Sequence, residues 1–106
     1  GLQWDAVDMT DADAVVAAFR PETRMLWLET PSNPMLAIAD VAALAALARA
    51  RGILVVVDNT WATPLLTRPL ALGADLVMHS TTKYLGGHSD VLGGAIVARA
   101  ADGLFE

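Results

Sequence analysis

Five consecutive apolar residues, Ile53-Leu54-Val55-Val56-Val57, lie between Gly52 and Asp58 and constrain this chain's fold more than any other feature. The run is β-branched and shows no polar alternation, so a strand built from it is covered on both faces. A parallel sheet between helices meets that condition; a half-exposed hairpin does not. The preceding stretch agrees. Asp40 suits the cap of a helix from Val41 to Arg51, with Leu44 and Leu47 three apart and Gly52 placed to end it. Arg24-Met25-Leu26-Trp27-Leu28-Glu29 supplies a second short apolar strand before that helix. Strand, helix and strand together form a crossover unit.

The remaining segments extend the pattern. Leu2 to Val7 reads as a short strand. Thr10-Asp11-Ala12-Asp13 supplies caps for a helix running to about Phe19, and Pro21 stops it. Thr30-Pro31-Ser32-Asn33-Pro34 is a loop, because two prolines remove backbone donors and bias their neighbours away from helix. Asp75-Leu76-Val77-Met78-His79 and Ala95-Ile96-Val97-Ala98 read as further strands. Only a short Gly-rich connection precedes the last one, which leaves an antiparallel course open to it. The expected class is α/β. A length of 106 residues suits one small domain with a modest core. The chain starts with Gly, and Gly103-Leu104-Phe105-Glu106 reads as the opening of a helix. Both ends therefore read as cut, and residues 1–106 as an internal segment of one larger domain.

Composition excludes several functions. No cysteine is present, so disulfides and thiolate metal sites are ruled out, and a reducing cytoplasm is the expected home. The net charge is -5 without a basic cluster, which disfavours nucleic acid and anionic membranes as partners. No apolar run approaches the roughly 18 residues that span a bilayer.

In open α/β sheets ligands bind beyond the carboxyl ends of the strands. Three sets of polar residues follow strands here: Asn33, Asp58, and Ser80 with Thr82 and Lys83. Lys83 is the single lysine in a chain whose other basic residues are all Arg. A desolvated lysine can lose its proton and attack a carbonyl, which a guanidinium cannot do. Asp58 ends an apolar strand, where a bare carboxylate needs a donor or cation. Ser80 and Thr82 can donate to a phosphate. An amine for an aldehyde, an acid for a pyridinium and hydroxyls for a phosphate are together the requirements of pyridoxal 5′-phosphate (PLP).

Each residue also has a plainer reading. Asp58, Ser80 and Thr82 suit ordinary turns, and Asn33 between prolines suits a turn former. His79 and His88 are isolated from other ligand-type residues and read as structural or surface groups, so no metal site is expected. Trp27, Trp61 and Tyr84 read as packing residues. Gly86-Gly87 and Gly93-Gly94 suit unusual backbone angles or close approach. Dinucleotide and P-loop glycine patterns are absent.

Ser80-Thr81-Thr82-Lys83-Tyr84 followed by Gly87-His88-Ser89-Asp90 resembles the cofactor-lysine signature of the Cys/Met metabolism (transsulfuration) PLP-dependent enzymes. Glu29-Thr30-Pro31-Ser32-Asn33-Pro34 and Val57-Asp58-Asn59-Thr60-Trp61 resemble two further motifs of that family in the same order. The likeness runs from about Trp27 to Ala98. It implies the large PLP-binding domain of the aspartate-aminotransferase type (fold type I), a mainly parallel sheet between helices. By the same resemblance, Lys83 would hold the cofactor covalently and later carry protons. Asp58 would pair with the pyridine nitrogen, and Ser80 and Thr82 would bind the phosphate. Asn33 would lie near the phenolic oxygen, and Thr60 would contact the ring face. Gly86 departs from the family, many of whose members carry Asn there.

Within the family the likeness favours cystathionine γ-synthase-type γ-replacement on an O-acyl-homoserine with cysteine. Cystathionine γ-lyase, β-lyase, methionine γ-lyase and homoserine sulfhydrylase are the alternatives. The implied partners are a small amino-acid substrate and further copies of the full-length protein, in a homotetramer built from dimers. In relatives the glycine-rich phosphate loop, the ring-stacking tyrosine and the carboxylate-gripping arginine lie outside the matching segment, so the segment alone is expected to be inactive. A non-catalytic PLP-binding domain is the reading from another class, and intact Lys83 and Asp58 speak against it. A cofactor-free Schiff-base aldolase would explain Lys83 but leave Asp58, Ser80 and Thr82 without a common purpose.

Overall fold

The computed structural model describes residues 1–101 and residue 103. The helix read from Gly103 to Glu106 therefore lies outside the described residues, apart from Gly103 itself, which sits in a turn. In order the elements are α1 (Ala12–Ala18), β1 (Met25–Glu29), α2 (Val41–Arg49), β2 (Leu54–Asp58), α3 (Thr63–Leu66), β3 (Leu76–Ser80) and β4 (Gly94–Ala98). One sheet takes the strands in the order β1-β2-β3-β4. β1, β2 and β3 are parallel, and β4 is antiparallel to β3. The connection before β4, residues 81–93, forms turns and bends with no crossover helix, and β4 returns beside β3 in the opposite direction.

The helices start where their capping acids predict. Asp11 Oδ1 accepts from the amides of Asp13 and Ala14, each at 3.0 Å, and Asp40 Oδ1 accepts from that of Ala43 at 3.0 Å. α2 closes in a Schellman turn. Ile53 N donates to Ala48 O and Gly52 N to Arg49 O, both at 3.0 Å, with Gly52 at φ 68°. That turn takes up Ala50 and Arg51, so the regular helix is two residues shorter than the sequence pattern suggests.

α1 and α2 cover one sheet face. Val15, Val41, Leu44 and Ala48 pack there against Leu26 and Leu28 of β1 and Val55 and Val57 of β2. Ala45 and Ala48, both fully buried, hold α2 close to the strands. Because strand side chains alternate, Trp27, Glu29, Asp58, Met78 and Ser80 project from the opposite face. Far from the carboxyl ends, Asp75 ties three strands together. Its carboxylate accepts from Val55 N at 3.0 Å and from the Arg99 guanidinium at 2.6 Å.

Two readings need correction. Leu2 to Val7 forms no strand: Leu2 and Trp4 are exposed, and only Val7 packs on the core. Its alternation is strand-like, but no neighbouring strand pairs with it, and an unpaired strand has no ladder to stabilise it. The four-residue α3 was not expected. Pro64 fills its first turn, where a missing amide costs nothing.

Candidate active site

The parallel course of β1, β2 and β3 brings their carboxyl ends to one edge. Glu29, Asp58 and Ser80 end these strands, and the loops that follow enclose a cavity of about 700 Å³, within the usual range for small-molecule sites. All six residues singled out by sequence line it: Asn33, Asp58, Thr60, Ser80, Thr82 and Lys83.

Short local bonds place each of them. Thr30 is buried, and its hydroxyl accepts from Ala39 N at 3.0 Å. Ser32 receives Leu36 N at its carbonyl (2.8 Å) and Ala37 N at its hydroxyl (3.2 Å). These bonds curl the proline-flanked loop and hold Asn33 over the end of β1. After β2, Asp58 Oδ1 accepts from Thr60 N at 3.0 Å, and the Thr60 hydroxyl accepts from Ser80 N at 2.8 Å. Thr60 is thus a strut between the ends of β2 and β3. Between them Asn59 is fully buried, its amide donating to Thr67 O at 2.9 Å. After β3 the chain coils through Lys83 N to Ser80 O (3.1 Å) and Gly87 N to Lys83 O (2.8 Å). That coil lifts Lys83 over the edge of the sheet.

The hydroxyls differ in freedom. Thr82 Oγ1 donates to Gly93 O at 3.2 Å and accepts from Gly93 N at 2.9 Å, so it straps the lysine loop to the start of β4. Ser80 has no such tether among the described residues. The strap is tight: a Cβ on Gly93 would come 2.7 Å from Thr81 Oγ1. At Gly86 a Cβ would meet Thr81 O at 2.7 Å, which gives its glycine a packing reason in this chain.

Trp61 and Tyr84 pack against each other at the edge of the site. Both line the cavity, 40% and 58% exposed, with ring centroids 5.9 Å apart. Trp27 is also half-exposed, on the uncovered sheet face. His79 is buried, consistent with a structural role, and His88 is exposed with Nδ1 3.0 Å from Gly86 O. Glu29 also lines the cavity and was not singled out by sequence, although it opens the Glu29-to-Pro34 motif. Among the described residues, no cluster of groups could hold a metal ion.

The donor set fits PLP. One amine, a carboxylate without a cationic partner among the described residues, and at least one untethered hydroxyl face a common space. Among the described residues, Lys83 is the sole cation lining it. The family model of the Cys/Met metabolism PLP-dependent enzymes matches residues 1–104. The chain belongs to this family. PLP is the family's cofactor, and the four-stranded sheet is part of its α/β fold. The cystathionine gamma-synthase of Mycobacterium bovis is 58% identical over 96 residues, 91% of this chain and 25% of that protein. A cystathionine beta-lyase of Lactococcus lactis is 49% identical over 102 residues, 96% of this chain and 27% of that protein. The crystal structure of a cystathionine gamma-lyase from Lactobacillus plantarum, complexed with L-serine, superimposes with a TM-score of 0.89 at 52% identity. It covers 91% of this chain and 25% of the lyase. The chain thus spans about a quarter of the length of these relatives.

Proposed function

We propose that the full-length protein carrying this segment is a PLP-dependent enzyme of sulfur amino-acid metabolism, and that residues 1–106 are an internal part of its large cofactor-binding domain. The observation that carries the reading is the meeting of Lys83, Asp58 and Ser80 in one cavity at the carboxyl edge of the sheet. Lys83 would hold the cofactor aldehyde and, once released, move protons on the substrate. Asp58 would keep the pyridine nitrogen protonated. Ser80, with Thr82 as the strap behind it, would bind the phosphate. Asn33 would lie near the phenolic oxygen, and Thr60 would hold Asp58 and Ser80 in register while facing the ring. When bound, the cofactor supplies an electron sink for carbanion chemistry.

The favoured reaction is γ-replacement on an O-acyl-homoserine with cysteine, giving cystathionine. The 58% identity to a cystathionine gamma-synthase supports it. Cleavage of cystathionine is the second reading, favoured by the 49% identity to a beta-lyase and the 52% identity to a gamma-lyase. Among the described residues, Lys83 is the sole cation in the cavity, so the group that grips the substrate carboxylate is assigned to chain outside this segment or to a neighbouring subunit. A homotetramer of dimers in the cytoplasm completes the proposal. Among the described residues no helix is long and apolar enough to cross a membrane.

The test uses the full-length protein. Purified protein should absorb in the visible range through its bound cofactor, and Lys83→Ala should lose that band. Incubation with O-acyl-homoserine plus cysteine should yield cystathionine. Release of homocysteine or 2-oxobutanoate from cystathionine instead selects the lyase reading. A colourless protein inert toward all of these substrates would refute both.

A further inference from the structure

Glu29 and Asp58 are direct partners in the parallel register of β1 and β2, and both line the cavity. Adjacent strands lie about 4.8 Å apart, and partnered side chains leave the same face. Two carboxylates are therefore set side by side at the end of the sheet. Among the described residues neither acid forms an ion pair. Among the described residues, the Asp58 carboxylate receives the Thr60 amide and the Glu29 carboxylate receives no hydrogen bond. Lys83, the one cation among the described residues lining the cavity, is committed to a different task if it binds an aldehyde. Both acids thus face the cavity without a dedicated cationic partner among the described residues.

We propose that Glu29 is a second acid for the cofactor's ring nitrogen, adding a smaller negative field to that of Asp58 and so raising the nitrogen's protonation. The proposal rests on the assignment of Asp58 to that nitrogen and extends it to the neighbouring strand. Glutamate suits the outer position because its extra methylene reaches from β1 toward the space above β2. Being exposed, it exerts a screened and modest influence. That makes Glu29 a support for Asp58 and no substitute for it.

The test is ring-nitrogen protonation in the full-length enzyme reconstituted with ¹⁵N-labelled PLP, followed as the ¹⁵N chemical shift against pH. This quantity reports charge at the nitrogen and is insensitive to a merely structural loss at Glu29. In the Asp58→Asn background, adding Glu29→Gln should lower the protonation constant roughly tenfold, the low end for loss of a nearby opposite charge. Glu29→Asp, which keeps the charge, should stay within about threefold of the Asp58→Asn parent. Equal titrations with and without Glu29→Gln would overturn the proposal. A wild-type titration in Asp58→Asn that collapses only when Glu29→Gln is added would keep the proposal and remove Asp58 from its assigned role. A wild-type titration in both variants would overturn both assignments.

Discussion

Gly52 and Gly93 are needed for different physical reasons, and substitution separates them. Gly52 sits at φ 68° with open space where a side chain would project. Gly52→Ala should therefore cost only the left-handed backbone penalty, about 1 kcal/mol, visible in unfolding and absent from cofactor affinity. Gly93 has an ordinary φ but no room, since a Cβ would press on Thr81 Oγ1 at 2.7 Å. Gly93→Ala should loosen the strap to Thr82 and weaken PLP binding, measured by titrating the apoenzyme, with a smaller effect on the unfolding midpoint. At the centre of the site, Asp58→Asn should keep the cofactor bound while slowing turnover by several orders of magnitude; near wild-type turnover would refute the assigned role. Lys83 and Asp58 were legible in sequence because their chemistry conflicts with their setting: a single amine among guanidiniums, and an acid closing an apolar strand. Trp61, Tyr84 and Glu29 were not. An aromatic beside a loop looks alike whether buried or lining a cavity. An acid at a strand end looks like any solvated charge until the register sets it beside another.

Among the elements, α2 does most to position the site, because it links β1 to β2 and packs both onto the core. Its start depends on one carboxylate, so Asp40→Ala should cost about 1 kcal/mol. Leu44 is almost completely buried between α2 and the strands, and Leu44→Ala should cost roughly 2–5 kcal/mol, depending on how far the surroundings collapse. Thermal unfolding of the full-length protein should rank the two in that order; the reverse would mean that the helix holds its place by capping more than by packing. The same element shows why much of the fold was legible. Cap, apolar spacing and terminal glycine agree over one continuous stretch, and local signals suffice. They fail where structure depends on a partner. Leu2 to Val7 alternates as a strand should, yet the alternation says nothing about whether another strand lies alongside. Four-residue α3 is too short for any periodicity to register.

At the scale of the molecule, the two sheet faces are unequal. One is sealed by α1 and α2. The other leaves Met25 and Trp27 about half exposed and Ile96 65% exposed, although parallel sheets are ordinarily covered on both sides. The β-branched run points the same way, because Val56 faces this side and is nonetheless apolar. Relatives are about four times as long as this segment, so the expectation is that helices from the rest of the full-length chain cover this face. Trp27 decides the matter by magnitude. If the face meets solvent, Trp27→Asp changes stability by no more than about 0.5 kcal/mol, as exposed substitutions do. If it is covered, the change removes a large buried ring and strands a charge, at a cost of roughly 3–5 kcal/mol or more. Denaturant unfolding of the full-length variant should show the larger loss. Because Glu29 follows Trp27 on the same face two residues later, PLP affinity should fall with it; stability and affinity both near wild type would leave the site open to solvent from beneath, where a carboxylate pair could hold little charge on a ring nitrogen.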